Sequence, residues 1–185
     1  MRSVLACLGC AAFTACVVSV DAAVPASQAT FDPWLVGSWV ELGDSDRATI
    51  SRGDGNSYAI EYIERSGKHG RFEATLGHLG RRLVLDIRAA DKPPLKDMSE
   101  AGTLIRGHLL LLLDVAADSV VVRGVQPDSV RAALKSGALQ LAYLLEDDQV
   151  VLAAPTAALR RGLAAYFEHT GVLDDPATWR RTRGP

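Results

Sequence analysis

The sequence predicts a mainly β protein, an antiparallel up-and-down barrel of roughly eight or nine strands. A C-terminal helix is expected to pack outside the barrel, with a short helix between late strands. Three observations lead to this prediction. From Val36 onward, apolar and polar residues alternate with a period of two, as in strands with one wet face. Turn residues interrupt the alternation about every ten residues, which is typical of all-β folds. After Pro155, the apolar residues change to helical spacing.

The first half of the barrel is predicted as a meander of five strands. Gly53-Asp54-Gly55-Asn56 favours a hairpin because its residues tolerate positive φ. In the third strand, Tyr58 and Tyr62 share the apolar face. The five predicted strands cover residues 36–42, 47–52, 57–65, 71–79 and 83–87.

The second half of the chain is predicted to contain both strands and helices. Residues 89–102 include two adjacent prolines and are expected to form a connecting loop. The following strands are apolar on both faces, so both faces need a cover. They are predicted at 105–115, 119–125, 139–146 and 149–154, with a short helix at 127–136 between them.

The main cover is predicted to be the helix that begins after Pro155. Thr156 is its expected N-cap, and Gly171 marks its far end. A last helical turn after Asp174-Asp175-Pro176 is predicted to carry Trp179. The apolar stripe of the long helix, at helical spacing, consists of Leu159, Leu163, Tyr166 and Phe167.

The first 23 residues have the pattern of a secretory signal peptide. Arg2 precedes an uncharged apolar run over residues 3–20, which is short for a membrane span of about 30 Å and is followed by small residues. The predicted domains are a signal peptide at 1–23, a flexible linker at 24–33 and a barrel domain at 34–185. The protein is therefore expected to be exported, either to the periplasm or to the medium.

An alternative interpretation of the leader is a lipoprotein signal ending before Cys16. Phe13-Thr14-Ala15-Cys16 resembles a bacterial lipobox, in which the cysteine becomes the lipidated N-terminus. On this interpretation, the protein would contact a membrane only through its lipid anchor.

Composition and motifs argue against several classes of function. The formal net charge is −2, and no basic stripe indicates nucleic-acid binding. All three cysteines lie within the first 16 residues, so the barrel domain has no catalytic thiol. No histidine pair has metal-ligand spacing, and no nucleophile motif is present. We expect no enzyme activity, cofactor or metal, and His108 is the one histidine that merits inspection. Asp86, which alternates with apolar residues, is expected to be an outward-facing charge.

Gly37-Ser38-Trp39 lies just inside the first predicted strand and resembles the Gly-x-Trp signature of lipocalins. Beyond the leader, the chain is similar to uncharacterised bacterial lipocalin-like exported proteins. This similarity rests on the signature, on segments 70–76 and 83–87, on His108 in an apolar strand and on segment 152–156. It implies a barrel closed at its base by Gly37 and Trp39, with Trp39 stacked on a basic side chain. The candidates for that side chain are Arg160, Arg180 and Arg181.

The predicted function is to bind a small apolar or lipid-like molecule inside the barrel. A barrel of about eight strands is either filled by its own side chains or holds one small ligand. The alternative is therefore a non-enzymatic structural or interaction module of the cell envelope, with a filled barrel. The residues predicted to line the interior share the apolar face of their strands and are Tyr58, Tyr62, Phe72, Leu85 and Tyr143.

Overall fold

Eight antiparallel strands close into a barrel, which confirms the predicted fold class. The computed structural model of the chain describes residues 17–90, 107–146, 149–168 and 173–182. Within these residues the strands are β1 (Val18–Ser19), β2 (Gly37–Glu41), β3 (Arg47–Arg52), β4 (Ser57–Ile63), β5 (His69–Leu79), β6 (Arg82–Ala89), β7 (His108–Val115), β8 (Ser119–Arg123), β9 (Tyr143–Glu146), β10 (Gln149–Leu152) and β11 (Ala177–Arg181).

The barrel consists of β2 to β8 in sequence order, and β11 closes it between β2 and β8. A helical turn was predicted where β11 lies, and this prediction was wrong. Trp179 is opposite Glu41 of β2 and Val120 of β8. Its partly buried ring packs against the apolar interior of the barrel, and aromatic residues favour strands for this reason. Burial of the ring outweighs the helix-start signal of the preceding Asp-Asp-Pro segment.

Strands β1, β9 and β10 lie outside the barrel and extend its sheet at β7. β1 pairs with β7 in antiparallel and with β10 in parallel fashion, and β9 forms a hairpin with β10. The segments 139–146 and 149–154 were predicted as barrel strands, and their position in the fold was predicted wrongly. Apolar residues on both faces require burial, but they do not distinguish a barrel wall from a hairpin covered by helices.

The apolar side chains form two cores, one on each side of the barrel wall. The interior core contains inward-facing residues of the barrel strands, such as Trp39 and Leu76. The outer core lies between the wall, the β9–β10 hairpin and two helices, α1 (Pro127–Ser136) and α2 (Thr156–Tyr166). Both helices occur where the sequence predicted them, and α2 packs outside the barrel as expected.

The first turn of α2 is anchored differently from the prediction. Pro155 is the N-cap and makes no side-chain capping hydrogen bond, whereas Thr156, the predicted cap, is the first helical residue. The Thr156 hydroxyl donates to the carbonyl oxygen of Ala22 over 2.7 Å. Arg160 Nη1 donates to the carbonyl oxygen of Ala23 over 2.7 Å. The polar groups of this turn therefore hold the N-terminal segment rather than the helix end.

Residues 17–36 form a strap that packs along the outer side of the barrel wall and ends where Phe31 and Leu35 join the interior core, although a flexible linker was predicted for 24–33. Val24 is buried, and its N–H donates to the carboxylate of Asp86 over 2.9 Å. Its carbonyl oxygen accepts a hydrogen bond from the Thr75 hydroxyl over 3.1 Å. The linker prediction rested on an abundance of Ala, Pro, Ser and Gln. That composition does not reveal that Ala23 and Val24 are fully covered.

Several sequence predictions concern residues outside the described ranges. They include the lipidation site Cys16, the predicted loop from residue 91 onward and the helix end at Gly171. Within the described ranges, no helix combines the length and apolar character needed to cross a membrane.

Candidate functional site

The two ends of the barrel differ in how they are closed. The strap reaches one end through a 3-10 helix at Pro33–Leu35. There, Trp34 Nε1 donates to the carbonyl oxygen of Ala117, in the β7–β8 turn, over 3.3 Å. This is the closed end. Among the described residues, the opposite end is framed by the β2–β3 and β4–β5 turns, and for these residues we call it the open end.

Arg181 is the central side chain of the closed end. Its guanidinium carbon lies 4.7 Å from the ring centroid of Trp39 and 5.0 Å from that of Trp34. The guanidinium also donates to the carbonyl oxygens of Val36, over 2.7 Å, and of Trp34. Of the three basic residues considered for this contact, the structure places Arg181 on the signature tryptophan.

Gly37 provides the room that Arg181 needs. Its φ of 147° is unfavourable for residues with a side chain. A Cβ at this position would lie 2.7 Å from Arg181 Nη1. Trp39 itself is only 2% exposed, and its Nε1 donates to the carbonyl oxygen of Leu35 over 3.0 Å. Gly37 and Trp39 thus lie together at the end of the barrel where closure was predicted.

Tyr58 and Leu85, two of the predicted ligand-lining residues, belong to the filled part of the interior. Tyr58 is 1% exposed and stacks on Phe31 of the strap, with ring centroids 5.1 Å apart. Its hydroxyl accepts from the Asp32 N–H over 2.7 Å. Leu85 is buried in the same cluster. Their contacts are with the protein's own side chains, so they form a floor rather than a cavity wall.

Tyr62 and Phe72, two other predicted lining residues, meet at the open end. With Gly70 they line a cleft of about 280 Å³, whose remaining residues are Glu64, Lys68 and His69. Gly70 is opposite Tyr62 in the β4–β5 ladder, and its missing side chain lets the Phe72 ring approach the backbone, since a Cβ at residue 70 would lie 3.0 Å from that ring. Further partly buried apolar residues of the interior core include Ile87, Val122 and Trp179. The Trp179 ring centroid lies 6.3 Å from that of Tyr62.

A buried carboxylate organises the rim of the open end. Asp46 accepts hydrogen bonds from the Tyr62 hydroxyl and from the Arg65 N–H, the latter over 2.9 Å. Burial, and then the hydrogen bond to Asp46, raise the pKa of Tyr62 well above its usual value. Burial also raises the pKa of Glu41, to which the negative charges of Asp46 and Asp44 add. The hydrogen bond to Asp46 thus ties the Tyr62 hydroxyl to the rim of the open end.

Tyr143, the fifth predicted lining residue, lies outside the barrel, so its assignment to the interior was wrong. It is part of β9 and packs against the outer core. The two helices cover its side of the β9–β10 hairpin, and the residues on that side are therefore apolar. Strands that line a barrel interior have the same sequence pattern.

His108 is paired with a buried carboxylate on the outer side of the barrel wall. Its Nδ1 lies 2.6 Å from Asp86 Oδ1, while Asp86 Oδ2 accepts the N–H of Val24. Asp86 is 2% exposed because the strap covers it. The sequence pointed to His108 but indicated an ordinary outward-facing charge at Asp86. The pair fastens the strap to the outer side of the wall.

A second cleft, of about 440 Å³, lies between the two helices and is lined mainly by small side chains such as Ala132, Ala133 and Ala165. Tyr166 also lines it, and its buried hydroxyl has no hydrogen-bond partner. In the part of the chain that the structure describes, no group of three or more histidine, cysteine or acidic side chains is arranged to hold a metal ion.

Comparisons with protein-family models, with curated proteins and with solved structures found no match. The structure shows the barrel, whereas the resemblance of the chain to lipocalins stays a prediction.

Proposed function

We propose that this protein binds one small apolar molecule in the open end of its barrel. The observation that carries the proposal is the cleft of about 280 Å³ between Tyr62, Gly70 and Phe72. Two aromatic rings form its apolar side, and the polar side chains of Glu64 and Lys68 lie at its edge. A concave apolar surface with a few polar groups is the usual form of a small-molecule site.

The filled half of the barrel restricts the size of this ligand. Trp39, Tyr58 and Leu76 are at most 2% exposed and occupy the interior. Ligand sites commonly have volumes of about 300–1,000 Å³, so the cleft is at the small end of that range. We therefore expect a ligand of one or two rings, or a short chain, held against Phe72 rather than inserted along the barrel axis.

Titration with a hydrophobic fluorescent dye, anilinonaphthalene sulfonate, tests the site. Gly70→Val would displace the Phe72 ring and obstruct the cleft, since a Cβ at residue 70 would lie 3.0 Å from that ring. We expect dye affinity to fall about tenfold or more, because the contact surface is lost. Ala59→Val is the matched control, since Ala59 is exposed on the same β-strand pair. Equal dye binding by the wild type and Gly70→Val would contradict the proposal.

A second candidate function, as a non-enzymatic interaction module, is supported by the solid packing of the closed half. The same experiments separate the two functions. If native mass spectrometry of the purified protein shows no bound molecule and the dye does not bind, the interior is only structural. The outer surface, including the exposed Leu144 and Leu145, would then be the functional one.

We also propose that the protein is exported and that its leader is cleaved at a position upstream of Val17. The apolar run after Arg2 supports export. Cleavage after Ala23 would remove β1, with its buried Ser19, and also the buried Val17. Loss of these residues would expose apolar surface of the outer core, so processing upstream of them suits the fold better. This position agrees with a lipid-modified Cys16.

The intact mass of the protein purified from its native envelope tests this proposal. We expect a mature chain that retains residues 17–23, with added acyl mass if Cys16 is modified. A mature chain beginning at Val24 would show that the strand β1 is dispensable and would contradict the proposal.

A further inference from the structure

The outer edge of β9 carries the most exposed large apolar side chain of the described residues. Leu144 is 54% exposed and Leu145 is 41% exposed. β9 pairs with β10 on one side, and no described strand pairs with its other side. Natural edge strands are often protected by charged side chains, proline or a bulge, and residues 143–145 contain no charged residue and no proline.

The free backbone groups of this edge belong to Tyr143 and Leu145. Ala153 N–H donates to the carbonyl oxygen of Ala142 over 2.8 Å, next to the opposed pair of Leu152 and Tyr143. In an antiparallel ladder, a pair flanked in this way is not itself hydrogen-bonded, and the two kinds of pair alternate. The N–H and C=O groups of Tyr143 and Leu145 therefore point away from β10.

A second copy of β9 can satisfy these groups in an antiparallel, two-fold arrangement. A two-fold axis perpendicular to the sheet keeps each face continuous, so residues on the same face must oppose each other. If the axis passes through Leu144, Tyr143 of each copy exchanges two backbone hydrogen bonds with Leu145 of the other. The same register places Leu144 against Leu144 on one face and Leu145 against Tyr143 on the other.

The charges near β9 favour this register. Glu146, Asp147 and Asp148 follow the exposed leucines in the sequence. Antiparallel pairing centred on Leu144 sets the position of Glu146 against Ala142 of the second copy and not against a second glutamate. Parallel pairing in register would set Glu146 against Glu146, and like charges directly opposite each other destabilise a sheet.

We propose that two copies of this chain associate through β9, in antiparallel register centred on Leu144, to form one continuous sheet. The occupant of the free edge is thus a second identical strand. This strand supplies partners for the free backbone groups of Tyr143 and Leu145. It also places Leu144 against Leu144 and keeps the two Glu146 residues from facing each other. This association goes beyond ligand binding and does not depend on the open end of the barrel.

Disulfide crosslinking tests the register directly. In the full-length chain with Cys7, Cys10 and Cys16 replaced by serine, Leu144→Cys would place two Cα atoms about 4.5 Å apart, within the 4.4–6.8 Å range for a disulfide. Leu145→Cys is the matched control, because the offset of two residues separates its Cα atoms by more than about 7 Å. We expect mild oxidation to give at least about tenfold more covalent dimer with Leu144→Cys. Equal crosslinking of both variants, or none with either, would overturn the proposal.

Sedimentation velocity at increasing protein concentration tests the same contact without a crosslink. Leu144→Lys should weaken self-association about tenfold or more, because two lysines would face each other. Leu42→Lys is the control, since Leu42 is 47% exposed at the open end and should leave self-association unchanged. A wild type that stays monomeric throughout, or a Leu42→Lys effect as large as that of Leu144→Lys, would contradict pairing through β9.

Discussion

The guanidinium carbon of Arg181 lies 4.7 Å from the centre of the Trp39 ring, near the point where the last and first barrel strands are joined. Arg181 is directly opposite Trp39 in the ladder of β11 and β2. Arg181 therefore lies in the strand pair that closes the sheet and, at the same time, packs on the tryptophan that closes the base of the barrel. Cation–π contacts of this kind contribute about 0.5–2 kcal/mol.

Replacing Arg181 by methionine should destabilise the barrel by about 2–4 kcal/mol, the combined effect of a lost cation–π contact and unsatisfied buried carbonyl groups. Urea unfolding followed by tryptophan fluorescence would measure this change. Arg180→Met is the matched control, because Arg180 is the exposed neighbour on the same strand. If the two variants unfold at the same urea concentration, Arg181 does not hold the closed end.

Truncation of Trp39 to alanine should cost about 3–5 kcal/mol, as for other buried large aromatic residues. The ring is almost fully buried, and its Nε1 donates to the carbonyl oxygen of Leu35. Thermal unfolding by circular dichroism would measure the loss. A variant whose melting temperature equals that of the wild type would show that Trp39 does not close the base of the barrel.

Asp86→Ala should release the strap from the barrel wall at a cost of about 1–3 kcal/mol, since it leaves the buried Val24 N–H without an acceptor. His108 would lose its partner at the same time. Amide hydrogen exchange would report this locally as faster exchange at Val24. Asp114→Ala removes a carboxylate that is 58% exposed and pairs with Arg123, so it should leave the exchange of Val24 unchanged. Similar effects of both variants would argue against a fastening role for Asp86.

Glu41→Gln should stabilise the protein at neutral pH, and the gain should shrink as the pH falls. The raised pKa of Glu41 means that ionisation costs more in the folded than in the unfolded state. Glutamine removes this cost at a pH where Glu41 is ionised in both states, and removes nothing at a pH well below the ordinary pKa of glutamate, where both states are protonated. Urea unfolding at several pH values would show the trend. A gain that is the same at neutral and acidic pH would contradict it.

The fold could be predicted where each strand has one dry and one wet face. Strands β2 to β6 show this alternation and turn residues at their ends, so their positions were close to those observed. The pattern failed in the late part, where apolar residues occupy both faces. There it could not separate barrel strands from the β9–β10 hairpin, whose apolar side is covered by the two helices.

The candidate site was only partly accessible to sequence reasoning. Tyr62 and Phe72 were identified because each lies on the apolar face of its strand. Tyr58 and Leu85 share that property but lie in the filled part of the interior. The position of a residue along the barrel axis, which alternation does not reveal, decides whether it lines the cleft. Gly70 was missed as a site residue, although a glycine within a strand often marks a place where other groups approach closely.

Asp86 shows a different limit of pattern reading. Its outward direction from the barrel was predicted correctly, but the strap that covers it was expected to be a linker. Whether an outward charge is exposed depends on a segment more than 60 residues away. The partnership with His108 follows from the pairing of β6 with β7, which alternation alone does not specify.

Chemical-shift mapping of a bound apolar molecule most directly tests the central claim that the open end is a ligand site. Addition of anilinonaphthalene sulfonate to ¹⁵N-labelled protein should shift the amides of Gly70 and Phe72 and the indole N–H of Trp179. The indole N–H of Trp39, at the closed end, should not move. Shifts confined to the cleft between the helices, at Ala132 or Ala165, or to β9 would contradict the account.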